Sequence, residues 1–171
     1  MKPATHAAVE VKELLLGQPK WTLAIAESLT CGRLQAAIGA MSGASGYFLG
    51  GVTAYTLGQK VQLLGVDRRA AKKVNCVSAE VAEAMAAGAA RMFGADFAVA
   101  TTGYAEPADA VAVPFAWWAI ARRRRGKVTN VAVGRVECPG ATRTQVQTMV
   151  AEAALAELVA VLRAARGAPL R

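Results

Sequence analysis

The amino-acid sequence predicts a three-layer α/β/α fold built around a mixed sheet. Two short apolar stretches, "WTLAIAES" and "FAVATTG", are typical of buried strands, and each ends in hydroxyl side chains. Helical patterns lie between and after them, and an arginine-rich turn, "RRRRGK", separates two alternating stretches as in a β-hairpin. Strands mixed with helices, without a repeat or a long linker, indicate a single α/β domain over residues 1–171.

The first half of the chain predicts helices and strands in alternation. An amphipathic helix is expected in "THAAVEVKELLLG", with Thr5 as its N-cap and Gly17 at its end. The strand in "WTLAIAES" leads through a loop into the helical stretch "GRLQAAIGAM". The β-rich "YFLGGVTAY" follows, and "LGQKVQLLGV" has the composition of a helix that ends near Gly65.

The second half contains the clearest helical pattern. In "SAEVAEAMAAGAARMFGAD", Ser78 is the expected N-cap, Glu80 suits the first turn, and Gly94 ends the helix. Its alanine-rich face includes Gly88, which predicts close packing against a neighbouring element.

A hairpin and a long helix are expected after the strand in "FAVATTG". The stretches "FAWWAIA" and "KVTNVAVGRVE" flank the arginine-rich turn, and "TRTQVQTMVAEAALAELVAVLRAA" has helical spacing. Trp117 and Trp118 are adjacent in a strand, so they are expected on opposite faces, one of them in the core and the other against a helix layer or a subunit.

Composition and charge limit the expected location and partners. The apolar runs are far shorter than the roughly 18 to 20 residues that span a bilayer, and the N-terminus lacks a signal pattern, so a cytoplasmic protein without a membrane partner is expected. The formal net charge is +8, but much of the excess lies in "ARRRRGK" and "RAARGAPLR", without interleaved aromatic residues. A solvated basic turn and tail are therefore favoured over a nucleic-acid surface, and a homodimer is the general expectation for a small α/β enzyme.

Several catalytic classes lack the residues they need. The single histidine, His6, lies near the N-terminus, which argues against a Ser-His-Asp or Cys-His mechanism. The three cysteines form no CxxC pair and no HExxH pattern occurs, so neither a metal site nor a disulfide framework is expected. Neither GxxxxGK[ST] nor GxGxxG is present, which excludes these phosphate-binding loops.

A serine nucleophile with a lysine base remains possible. Ser28 follows a predicted strand, and Ser45 lies in a glycine-flanked turn upstream of Tyr55 and Lys60. A lysine accepts a proton only if burial lowers its pKa from the solution value of about 10.4. The glycines beside Ser45 could bring backbone N–H groups close to an oxyanion, although such glycines also form purely structural turns.

Several stretches of the chain resemble one protein family in register. "AESLTCG" is similar to the "AESxTGG" signature of the CinA C-terminal domain family, which includes nicotinamide mononucleotide amidases. "SGASGYFLGGVTAYTLGQKVQLLGV" resembles the family's "PGSSxxFxGGxVxYSNxxKxxLLGV", and "GATRTQVQ" resembles its "GDRxxVR". The resemblance covers nearly the whole chain and implies the family's α/β fold.

The resemblance also implies an activity and a set of site residues. The implied reaction is hydrolysis of nicotinamide mononucleotide to nicotinic acid mononucleotide and ammonia, without a cofactor. Ser45 would be the nucleophile and Lys60 its base, with Tyr55 and Ser28 in the same hydrogen-bonded cluster and Ser28 as the second choice of nucleophile. The implied substrate-binding residues are Thr30, Gly32, Thr102, Gly103 and Arg143, the last of which would meet the phosphate.

Some family positions are altered in this chain. Cys31 replaces a glycine, Leu57 replaces an asparagine, and "TGYAEPADAVAVPFA" replaces the glycine-rich "TGIAGPGGGTPxKPVG". The new loop contains Tyr104 and Glu106, and a carboxylate close to a phosphate would repel it. Three hypotheses therefore stay open: an amidase on the family's substrate, a hydrolase of changed substrate, and a silent protein that binds a nucleotide or a partner.

Overall fold

A mixed five-stranded sheet forms the centre of the computed structural model, which describes residues 3–108 and 110–167. Three neighbouring strands are parallel and the last two continue the sheet antiparallel, in the order β2-β1-β3-β4-β5. The strands are β1 (Leu23–Glu27), β2 (Phe48–Thr53), β3 (Phe97–Tyr104), β4 (Phe115–Arg124) and β5 (Lys127–Glu137). The predicted mixed sheet is confirmed.

Helices cover both faces of the sheet, as the three-layer prediction requires. One face packs against α1, α2 and α6, and the other against α5, with α3 beside it and α4 next to α3. The helices are α1 (Pro3–Leu16), α2 (Arg33–Gly39), α3 (Leu57–Leu64), α4 (Arg68–Lys73), α5 (Ala79–Phe93) and α6 (Arg143–Ala165). None of these helices is both long enough and apolar enough to cross a membrane.

Strand alternation divides the core into two parts of different side-chain size. In β1, Leu23 and Ile25 face the cluster formed with α1 and α6, whereas Ala24 and Ala26 face the cluster formed with α5. The α5 side is rich in alanine, so this helix packs close to the sheet. Trp118 lies in the α1 and α6 cluster and Trp117 packs against the α5 cluster, which confirms their predicted opposite faces.

The predicted helix ends are mostly confirmed. Ser78 accepts a hydrogen bond from the Val81 N–H at 3.2 Å, and Gly94 ends α5 with a left-handed φ of 66°. Gly65 ends α3 in the same way, with a φ of 68°. The N-cap predicted at Thr5 is wrong, because α1 already begins at Pro3, a residue type that suits the first turn of a helix.

The basic segments are less solvated than the sequence predicted. The hairpin is confirmed, but within it the Arg122 guanidinium stacks on Trp21 and Phe97 at 5.2 and 5.1 Å from their ring centroids. Arg163 pairs with Glu10, and Arg166 donates to the Leu14 carbonyl at 2.9 Å. Arg163 and Arg166 therefore join the end of α6 to α1. The end of the predicted tail, residues 168–171, lies outside the described residues.

Gly88 lets α5 approach α3 at backbone contact, as its alanine-rich face predicted. A Cβ at this position would lie 2.2 Å from the Leu64 carbonyl oxygen and 2.7 Å from the Leu64 Cα. Both are backbone atoms, so no side-chain rotation could relieve the overlap. Any side chain here must push α3 away from α5.

We expect Gly88→Ala to lower the free energy of unfolding by more than about 2 kcal/mol, because the overlap outweighs alanine's better helix propensity. Gly39→Ala, in α2, is the matched control, since a Cβ there meets nothing within 4 Å. That change should raise stability by at most about 1 kcal/mol. Urea unfolding of the two variants measures both changes in the free energy of unfolding. Equal values for the two variants would contradict the close approach of α5 to α3.

Candidate functional site

A cleft of about 560 Å³ opens at the carboxyl ends of the parallel strands. In open α/β sheets this edge is where ligands usually bind. The cleft is bounded by the loop after β1, the start of α3, the segment between α4 and α5, the end of β3 with its following loop, and Arg143 at the start of α6.

The centre of the cleft is a hydrogen-bonded pair of Ser28 and Lys60. The Lys60 side chain extends from α3 and is only 1% exposed. Its Nζ lies 2.9 Å from Ser28 Oγ, 2.9 Å from the Ala54 carbonyl oxygen and 3.0 Å from the Tyr55 carbonyl oxygen. Among the described residues, no carboxylate forms an ion pair with it.

Burial shifts the Lys60 amine toward its neutral form. Burial lowers the Lys60 pKa from its usual value of 10.5, and the nearby Cys76 acts in the opposite direction. A neutral amine donates two hydrogen bonds and accepts one, which matches two carbonyl acceptors and one hydroxyl donor. In that state Ser28 donates its hydroxyl proton to Nζ, the arrangement that general-base activation of a serine requires.

Glu27 holds the loop that carries Ser28. Its buried carboxylate accepts the N–H groups of Gly32, Leu34 and Gln35 at 3.0, 3.2 and 2.9 Å, and the Gln35 side-chain amide at 3.1 Å. These bonds join the end of β1 to the start of α2. Glu27 therefore caps this helix.

Threonines and a glycine support the cleft at different depths. Thr30 is fully buried and shares a 2.7 Å hydrogen bond with Thr101, so it acts behind the cleft wall. Thr102 and Gly103 line the cleft, and Thr102 donates to the Cys76 carbonyl at 2.7 Å. Gly32 lies at the N-cap of α2 with a φ of 92° and donates to Glu27, so it shapes the loop and does not line the cleft.

Ser45 lies away from the cleft, which corrects the predicted pairing of Ser45 with Lys60. It is exposed in the 3₁₀ turn Ala44–Gly46, which precedes β2, whereas Lys60 lies beyond the opposite end of that strand. Six strand residues separate the two ends by roughly 20 Å. Gly43 with a φ of 78° serves the turn itself, so the expected oxyanion site at this turn is also wrong.

Tyr55 and Arg143 form a second group at the rim of the cleft. The Tyr55 hydroxyl accepts a hydrogen bond from Arg143 Nη2 at 2.7 Å, and its side chain is 49% exposed. Arg143 Nη1 also donates to Glu106 Oε1 at 2.5 Å. Only the Tyr55 backbone carbonyl contacts Lys60, so the predicted place of its side chain in the serine and lysine cluster is wrong.

Two cleft residues escaped sequence prediction. Asn75 and Cys76 follow α4 in left-handed conformations, with φ values of 48° and 61°. The Asn75 amide donates to the Tyr104 hydroxyl at 3.2 Å, which links this segment to the altered loop. Neither residue belongs to a motif, and their position depends on a chain reversal that side-chain periodicity does not predict.

The comparison with known families agrees with this architecture. The family model of the CinA C-terminal domain matches residues 5–162. The chain belongs to the CinA C-terminal domain family. The resemblance of its motifs to CinA is thereby confirmed.

Solved CinA structures share the fold over nearly their full length. A CinA superfamily protein from Klebsiella pneumoniae aligns with a TM-score of 0.84 and 26% identity, covering 94% of this chain and 98% of that chain. The competence/damage inducible protein CihA from Agrobacterium tumefaciens aligns with a TM-score of 0.80 and 26% identity, covering 94% of this chain and 96% of its own.

Curated relatives carry the name CinA-like protein. The one from Mycolicibacterium vanbaalenii is 49% identical over 98 residues, which are 57% of this chain and 22% of that protein. The one from Flavobacterium psychrophilum is 41% identical over 93 residues, 54% of this chain and 22% of that protein. The chain thus matches less than a quarter of the length of either relative.

We expect Glu27→Ala to lower the free energy of unfolding by about 2–4 kcal/mol, because four buried or half-buried donors lose their acceptor. Glu157→Ala, on the exposed side of α6, removes the same charge without such contacts and should be nearly neutral. Chemical unfolding of the two variants measures the difference. A small effect at Glu27 would mean that the loop does not depend on this carboxylate.

Proposed function

We propose that this CinA-family protein is a serine/lysine amidohydrolase that converts nicotinamide mononucleotide to nicotinic acid mononucleotide and ammonia. The observation that carries the proposal is the 2.9 Å contact between Lys60 Nζ and Ser28 Oγ, at the carboxyl edge of the sheet. Ser28 replaces Ser45 as nucleophile because it is the serine that this lysine reaches. Family membership supports the class of reaction.

The arrangement supports a two-step acyl transfer. Ser28 Oγ attacks the carboxamide carbon while its proton passes to the neutral Lys60 amine. The tetrahedral intermediate then expels ammonia, which takes the proton from Lys60, and leaves the acyl group esterified to Ser28. A water molecule, deprotonated by Lys60, then attacks this ester. The bond to Ser28 Oγ breaks, Lys60 returns the proton to Ser28 Oγ, and the carboxylic acid is released.

The N–H of Leu29 is our candidate for the oxyanion donor. Leu29 follows Ser28 and lines the cleft, and in the described part of the chain its N–H has no intramolecular acceptor. The Ser28 N–H already donates to the Thr101 carbonyl at 3.0 Å, so it cannot serve as the oxyanion donor. A fixed backbone donor next to the nucleophile would stabilise charge that develops on the amide oxygen.

The volume of the cleft and the positive charge of Arg143 at its rim both suit a nucleotide. Its volume of about 560 Å³ lies within the usual range for small-molecule sites. Arg143 at its rim offers a guanidinium at the N-terminal end of a 23-residue helix, a favourable place for an anion. The Glu106 carboxylate on the same guanidinium favours a second candidate function, the hydrolysis of a different amide by the same serine and lysine.

We expect Ser28→Ala to reduce ammonia release from nicotinamide mononucleotide by about 10³-fold or more, and Lys60→Ala by about 10²- to 10⁴-fold. Ser45→Ala is the matched control and should leave the rate unchanged, since Ser45 is exposed at the other edge of the sheet. Purified proteins assayed for ammonia provide the measurement.

Two outcomes would overturn this assignment in different ways. Loss of activity in Ser45→Ala with full activity in Ser28→Ala would return the nucleophile to Ser45. No ammonia release by the unaltered protein, at enzyme concentrations that detect slow turnover, would exclude this substrate and favour a changed substrate or a silent binding protein.

The pH dependence should follow the deprotonation of Lys60. Since the neutral amine is the base and burial lowers its pKa below 10.5, kcat/KM should rise with pH and level off below the usual lysine range. Rates measured between about pH 6 and pH 10 test this. Lys60→Arg keeps a positive charge that cannot be lost and should be inactive throughout. A pH-independent rate in the unaltered protein would contradict a lysine base.

A further inference from the structure

The loop after β3 places a carboxylate on the guanidinium that faces the cleft. Glu106 Oε1 accepts from Arg143 Nη1 at 2.5 Å, while Arg143 Nη2 donates to the Tyr55 hydroxyl at 2.7 Å. Arg143 is the first residue of α6, so its guanidinium adjoins the positive end of that helix. A negative group of the protein itself therefore occupies a place suited to an anion.

No second cation in the described cleft is free to replace Arg143. Lys60 also lines the cleft, but it is 1% exposed and its Nζ already has three partners. Among the described lining residues, Lys60 and Arg143 are the cations and Glu106 is the one acid. An anionic group of a bound substrate would have to compete with Glu106 for the guanidinium.

We propose that Glu106 influences substrate specificity by competing with a substrate phosphate for Arg143, which weakens the preference of the cleft for the phosphorylated over the phosphate-free form of its amide substrate. This inference rests on the proposed amidohydrolase function for the choice of substrate. A phosphate and the Glu106 carboxylate repel each other when both lie against one guanidinium. Nicotinamide riboside, which has the carboxamide and the ribose without the phosphate, is the substrate form that escapes this competition.

The exposure of the pair sets the size of the effect. The Arg143 side chain is 43% exposed and that of Glu106 is 60% exposed, so solvent screens their attraction. A phosphate can consequently displace Glu106, at a cost in affinity. We expect the carboxylate to weaken binding of the phosphorylated substrate about tenfold and to leave the phosphate-free substrate nearly unaffected.

Glu106 could instead orient Arg143 for phosphate, and the two functions give opposite signs. Glu106→Gln keeps the shape of the side chain and an oxygen that can accept from Arg143, but it removes the negative charge. If Glu106 competes with phosphate, this variant binds the phosphorylated ligand more tightly. If Glu106 positions the guanidinium, the variant binds it equally or more weakly.

The decisive experiment is calorimetric titration of nicotinamide mononucleotide and nicotinamide riboside, a pair that differs only in the phosphate. Ser28→Ala prevents turnover during the titration and is compared with Ser28→Ala combined with Glu106→Gln. The second change should lower the Kd of the mononucleotide about tenfold and alter that of the riboside less than about twofold. Glu137→Gln, which removes the charge of an exposed carboxylate 2.8 Å from Arg135 on β5, is the matched control and should alter neither.

The outcomes separate this inference from the proposed function. An unchanged or higher Kd of the mononucleotide, an equal change for both ligands, or no binding of either ligand to any variant overturns the competition by Glu106. Tighter mononucleotide binding in Glu106→Gln supports the competition even if the unaltered protein releases no ammonia, a result that would overturn the amidase proposal alone.

Discussion

The burial of the Lys60 amine is the constraint on which the site depends. A buried ammonium or amine must satisfy its hydrogen-bonding capacity, and here one hydroxyl and two carbonyls do so without a carboxylate. Those partners come from the ends of two neighbouring parallel strands, because sheet bonding continues past them: the Ala54 N–H donates to the Glu27 carbonyl at 2.9 Å. This register places Ser28 beside Ala54, under α3.

The alanine-rich layer explains how α3 reaches that position. Ala24, Ala98 and the buried alanines of α5 let this helix pack close to the sheet, and Gly88 then lets the end of α3 lie directly on α5. Larger residues in this layer would lift α3 and draw Lys60 away from Ser28. The small side chains in this layer thus influence the distance between Lys60 and Ser28, although none of those named lines the cleft.

Local signals in the sequence predicted much of the fold and only part of the site. Apolar runs, caps such as Ser78 and the left-handed Gly94 act within a few residues, so the elements could be placed from the sequence. The partner of Lys60 could not be predicted in this way. Ser28 is 32 residues away in the sequence, and parallel strand pairing brings it next to Lys60. The glycines around Ser45 gave a strong local signal, but they form a turn at the opposite edge. The contact of Glu106 with Arg143 likewise spans 37 residues and depends on where α6 starts.

The two ends of the cleft differ in how deeply their side chains are buried. At the serine and lysine end, the side chains of Ser28, Lys60 and Thr102 are buried and hydrogen-bonded, so a change in geometry or charge leaves a group unsatisfied at substantial cost. At the rim, Tyr55, Glu106 and Arg143 are exposed, and water can replace any contact they lose. The end of β3 and the loop after it can therefore carry Tyr104 and Glu106 without disturbing the pair of Ser28 and Lys60. The buried pair is thus fixed by the sheet, whereas the rim consists of side chains whose contacts solvent can replace.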